Sequence, residues 1–156
     1  MAPIYEKSEE MKEIATMLIG KRADLFGHVD PDMITCGLRV DKPAPARQQV
    51  VLKVEGIRGA KTLLSDKKYL IHGYASRWER LNREKKVAHV ASMLKRIAHP
   101  TPDELAKLAK KNEDYEYGKL TKPDVTDWRS FIKELGVDWA DDQTKIPDIS
   151  ETTVTV

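Results

Sequence analysis

A length of 156 residues suits one domain with its own core. The 40% hydrophobic and 33% charged shares exclude a disordered or fibrous chain, and a formal net charge of +2 predicts no obligatory acidic partner. The single cysteine, Cys36, excludes an intramolecular disulfide and a cysteine-based zinc knuckle.

The first expected element is a helix from Glu9 to Gly20. Ser8 is its N-cap, Glu9 and Glu10 sit in the positive first turn, and Met11, Ile14, Ala15, Leu18 and Ile19 recur at helical spacing. A turn-rich linker through Gly27, Asp30 and Pro31 leads to a strand at Met33–Val40. Within it Cys36, beside Ile34, Thr35 and Leu38, reads as a small buried hydrophobe and not a nucleophile. The segment from Lys42 to Ala46, with Pro43 and Pro45, cannot ladder and is expected to loop.

Gln49–Ile57 and Tyr69–Tyr74 read as two further strands, with Leu63 and Leu64 in a connector. Gly56 and Gly59 are too short a signal to cradle phosphate and instead shape a turn. A helical turn at Ser76–Leu81 presents Trp78 and Leu81 to the core. Asn82 then caps the strongest helix, Arg83 to about Ala98, whose Val87, Val90, Ala91, Leu94, Ile97 and Ala98 form one stripe. Pro100 stops it. Thr101, Pro102, Asp103 and Glu104 open another helix that ends near Asn112. A last helix is expected at Val125–Leu135, with Trp128, Phe131, Ile132 and Leu135 inward and Gly136 as its stop.

The expected fold is therefore α+β: a small three-stranded sheet packed on the N-terminal and long central helices, with further C-terminal helices. Residues 1–139 form one domain, and 140–156 an acidic, extended or disordered tail. No signal-peptide pattern and no apolar run long enough to span a bilayer is present. The expected setting is reducing: a host cytoplasm or a virion, with no membrane contact.

The stretch from Trp78 and Leu81 through Asn82-Arg83-Glu84-Lys85-Lys86-Val87-Ala88 into a long helix resembles the putative phage metallopeptidase family. So does Lys122-Pro123-Asp124-Val125-Thr126-Asp127-Trp128, and the likeness extends from Glu6 to about Trp139. The resemblance implies a zincin-like fold whose central helix bears His-Glu-x-x-His, with a third ligand at the opening of the last helix. Two imidazoles at i and i+4 share a helix face and can bind one zinc, and the intervening Glu can take a proton from zinc-bound water. Carried onto this sequence, the resemblance assigns the first His to Ser92, the Glu to Met93, the second His to Arg96, and the third ligand to Pro123 or its neighbour. Hydroxyl, thioether and guanidinium cannot do that work, so no metal or other cofactor is expected.

The four histidines, His28, His72, His89 and His99, include no i, i+4 pair. His72 reads as a half-buried strand residue, and His99 as a C-terminal helix residue favourable to the dipole. His89 is expected to share a polar face with Ser92, Met93 and Arg96, opposite the apolar stripe. That face is either solvated or a remodelled cleft binding an anion or partner through His89 and Arg96.

Three function classes follow. The first is a non-catalytic protein-interaction scaffold of phage origin, a virion connector or decoration component or a binder of a host factor. Its ends, Met1–Tyr5 and Trp139–Val156, could add as strands to a neighbour's sheet. The second is nucleic-acid binding through Arg77, Arg80, Arg83, Lys85 and Lys86, in a segment where seven Lys/Arg face two Glu between Ser76 and Arg96. The third is a metallopeptidase with unrecognised ligands.

Overall fold

A computed structural model describes residues 2–47, 50–121 and 150. In chain order it contains β1 (Tyr5–Lys7), α1 (Glu9–Lys21), α2 (Ala23–Phe26), a 3-10 turn (Pro31–Met33), β2 (Ile34–Arg39), β3 (Leu52–Gly56), a second 3-10 turn (Gly59–Leu63), β4 (Tyr69–Tyr74), α3 (Ala75–Trp78), α4 (Arg83–Lys95) and α5 (Pro102–Lys110). The architecture is α+β. The helix expected at Val125–Leu135 lies outside the described residues, as does the expected tail except for Ser150, which is buried.

Among the described residues the sheet has four strands in the order β1-β2-β4-β3, not three. β2 and β4 run parallel at its centre, and β1 and β3 flank them antiparallel. The extra strand, Tyr5–Lys7, shares only Tyr5 with the N-terminal arm expected at Met1–Tyr5. It pairs with this chain's own β2, Tyr5 opposite Arg39, and Val40 N–H donates to Ile4 O at 3.0 Å. Three exposed residues carry too little alternation to announce a strand; the open edge of β2 recruits them. β3 is shorter than expected because its ladder with β4 starts at Leu52 opposite Gly73 and ends at Gly56 opposite Tyr69.

Pairing sets which side chains face inward. Cys36, Ile71 and Val54 stand abreast on β2, β4 and β3, with Ile34 and Tyr69 beside them, and all are buried. Against this face pack α1, through Met11, Ile14, Ala15, Leu18 and Ile19, and α4, which also contacts α1 directly. Each fully buried aliphatic side chain here contributes roughly 1.5–3 kcal/mol. Cys36 is part of this core, and burial pushes its thiol up to about 11.

The helix starts obey the expected chemistry. Ser8 Oγ accepts from Met11 N–H, Asn82 Oδ1 from Lys85 N–H, and Thr101 Oγ1 from Glu104 N–H. α1 runs one residue past Gly20, and Arg22 N–H closes its last turn on Leu18 O at 2.8 Å.

Candidate functional site

The positions that the resemblance assigns, Ser92, Met93 and Arg96, fall at the end of α4, and three features fix its last turn. Asn82 sets the start of the helix, while Trp78 and Leu81 before it are buried and anchor the entry. At the other end Arg96 is the C-cap. Its carbonyl accepts from Thr121 N–H at 2.6 Å, its Nε donates to Thr121 O at 3.4 Å, and Ala98 N–H donates to Lys119 O at 3.0 Å. With the Ile97–Leu120 bridge, these bonds lay residues 119–121 antiparallel to residues 96–98. The pairing also explains why the helix ends at Lys95 and not near Ala98: the backbone of residues 96–98 is used by the crossing segment.

The face bearing Ser92, Met93 and Arg96 differs from expectation. His89 is only 7% exposed and Ser92 8%, and Lys85, on the same helix, is 2% exposed. Met93 and Arg96 are half-buried. The stripe-versus-solvent division fails because α4 is covered around most of its circumference, with Val87, Ala88, Val90, Ala91 and Leu94 also buried. A solvated polar face at His89 is therefore ruled out, and binding of an external ligand by His89 together with Arg96 would need that burial relieved.

The fold brings together two histidines from separate segments that sequence spacing could not connect. His28 and His99 stack with ring centroids 4.7 Å apart and planes 12° from parallel. His28 Nε2 lies 3.0 Å from Ile97 O, so Nε2 carries the proton and donates to that carbonyl. Burial lowers the His28 pKa from its ordinary value, and His99 lowers it further, against the opposing pull of that carbonyl. His99 thus lies beyond the helix end and in a stack, not in a dipole-stabilised last turn. Lone pairs in nearly parallel stacked rings do not converge on one ion. His72 stands on the opposite side of the sheet, 3.6 Å from Glu55 Oε1. Among the described residues no three His, Cys, Asp or Glu side chains form a group able to hold a metal ion.

The basic segment is also redistributed. Lys85 is inside the protein. Lys86 Nζ bonds Glu10 Oε1 at 2.9 Å and lies 5.2 Å from the centroid of the Trp78 ring. Arg83 Nη2 reaches Met17 Sδ at 3.4 Å. Lys85 cannot contact a phosphate, and Lys86 does so only by leaving an ion pair.

The model of the family described as putative phage metallopeptidase matches residues 4–147. The chain belongs to this family. The match covers the sheet, α1 and α4, in agreement with a zincin-like α+β layout. Compared with curated proteins and with solved structures, the chain has no match. A metallopeptidase family implies a bound metal ion. At the positions the resemblance assigns, the donor set is a hydroxyl, a thioether and a guanidinium, and the last of these repels a dication. These three residues do not fit a zinc ion. Pro123, the fourth assigned position, lies outside the described residues, two residues beyond Thr121. No described helix is long and apolar enough to cross a membrane.

Proposed function

We propose that this member of the phage metallopeptidase family has no peptidase activity and uses the frame as a protein-interaction scaffold. The observation carrying this reading is the donor set on the last turn of α4: Ser92, Met93 and Arg96 supply neither imidazole nor carboxylate. One lost ligand could be replaced by a neighbour. Three together, with a fixed cation among them, leave no place for a dication and no base beside it.

The interaction half of the reading draws support from apolar surface. Leu63 and Leu64, adjacent on the β3–β4 connection, are each 88% exposed. α5 buries none of its residues, and Leu105 on it is exposed. Large aliphatic side chains displayed in pairs fit a protein partner better than solvent. The partner would be a virion or a host protein.

Two measurements test the two halves. Incubation of the full chain with denatured protein substrates, with and without chelator, is expected to give no chelator-sensitive cleavage; such cleavage overturns the first half. Affinity purification from infected cells is expected to enrich one partner with the wild type and to lose it with Leu63→Asp/Leu64→Asp. Equal recovery with both proteins removes the loop from the account.

A further inference from the structure

The sheet face turned away from α1 and α4 carries residues that neither the core nor the last turn of α4 uses. Register sets Tyr5, Arg39 and Tyr74 side by side on β1, β2 and β4. The next row on the same face runs Lys7, Gly37, His72 and Lys53. The Tyr5 ring meets His72 edge-on with centroids 6.1 Å apart, and the Arg39 guanidinium lies 5.6 Å from the centroid of the Tyr74 ring. Tyr5, Arg39, Lys53, His72 and Tyr74, with Val50 and Val51, line an open cleft.

Two features of this face call for a ligand. The first is charge. Arg39 is neutralised by a two-pronged contact with Asp41, at 2.7 and 3.2 Å, but Lys7 and Lys53 have no carboxylate partner among the described residues. The second is an unsatisfied atom. His72 Nε2 is shut off from solvent and makes no hydrogen bond; Glu55 Oε1, at 3.6 Å, is too far. Unpaired cations beside displayed aromatic rings match a ligand with flat bases and a negative backbone.

We propose that this face binds single-stranded nucleic acid. Bases stack on Tyr5 and Tyr74, and phosphates lie against Lys7 and Lys53. Tyr5 is 52% exposed, and a shift of its ring gives a base edge access to His72 Nε2. A duplex is disfavoured because its bases are already stacked and a sheet face presents no element that enters a groove. The surface is separate from the Arg77–Arg96 segment, and the proposal stands whether or not the chain cleaves peptides.

The test is fluorescence anisotropy of the full chain with a labelled oligothymidylate of about 12 nucleotides, within the span that single-strand platforms cover. Binding is expected to weaken as salt is added, and Tyr5→Ala and Lys53→Glu are each expected to weaken it by about tenfold. Lys107→Glu, the same charge change on exposed α5, should leave affinity unaltered. Circular dichroism confirms that each variant is folded, and Lys53→Glu, on an exposed side chain, keeps the test valid should Tyr5→Ala disturb β1. Absence of binding at low salt overturns the proposal. So does equal affinity for a duplex of the same length, equal loss in all three variants, or a mononucleotide competing as well as the strand.

Discussion

The indole N–H of Trp78 donates to Glu10 Oε1 at 2.8 Å, and Lys86 Nζ reaches the same oxygen at 2.9 Å. One carboxylate from the first turn of α1 therefore ties down both the buried aromatic before α4 and the first turn of α4 itself. Trp78→Phe removes one bond to a charged acceptor and part of a fully buried ring, and is expected to cost roughly 2 kcal/mol in chemical denaturation. The Lys86 hydrogen bond, opposed by desolvation and aided by the Trp78 bond, holds the Glu10 carboxyl below its ordinary 4.5. Because the folded pKa is depressed, the contribution is present above pH 4.5 and lost as pH falls through the folded value. Glu10→Gln should flatten that part of the acid limb.

Gly56 ends β3 against the backbone of Gly118, whose φ is +101. A Cβ at Gly56 would overlap Gly118 O, and the N–H of Gly118 is already fixed by donation to buried Tyr69 Oη at 3.0 Å. Neither backbone has room to yield. Gly56→Ala is expected to destabilise the protein by about 2–3 kcal/mol, whereas Gly20→Ala, where an added Cβ meets nothing, should be neutral or stabilising. Comparable thermal midpoints for the two variants would contradict the close approach.

His28 gives the fold a second pH dependence. Its folded pKa is lowered, chiefly by burial, so the unfolded chain binds the proton more readily. Stability is full above about pH 6.5 and falls as pH drops below it, until the folded form also protonates. Denaturant midpoints measured between pH 7.5 and 5.5 should decline in the wild type and decline less in His28→Gln.

Cys36 should be inert while the chain is folded. With its thiol at about 11, only roughly one molecule in a thousand carries the thiolate at pH 8, and the sulfur is buried. Alkylation by iodoacetamide is expected to be very slow in native buffer and rapid in denaturant. Fast native labelling would mean that the sheet opens.

Local chemistry carried much of the fold into the sequence. Ser8, Asn82 and Thr101 cap as their residue types require, β4 spans Tyr69–Tyr74 as its composition indicates, and the α1 stripe is the buried stripe. What escaped depends on tertiary context. β1 is a strand only because the edge of β2 accepts it, and the stacking of His28 on His99 joins residues 71 positions apart. On α4, Lys85, His89 and Ser92 are polar residues in the interior, a placement that periodicity assigns to solvent. The candidate motif positions were visible as residue identities; their burial was not. The aromatic and cationic face of the sheet is not legible in the sequence because its residues come from four strands and become neighbours only through register.

On the proposed reading, the last turn of α4 holds no metal ion. The most direct measurement is the zinc content of the untagged full chain by mass spectrometry after purification without chelator and dialysis against trace zinc. Zinc is expected far below one equivalent per chain, with Ser92→Ala and Arg96→Ala unchanged from the wild type. One tightly bound equivalent, lost when His89, Ser92 or Arg96 is replaced, would contradict that reading.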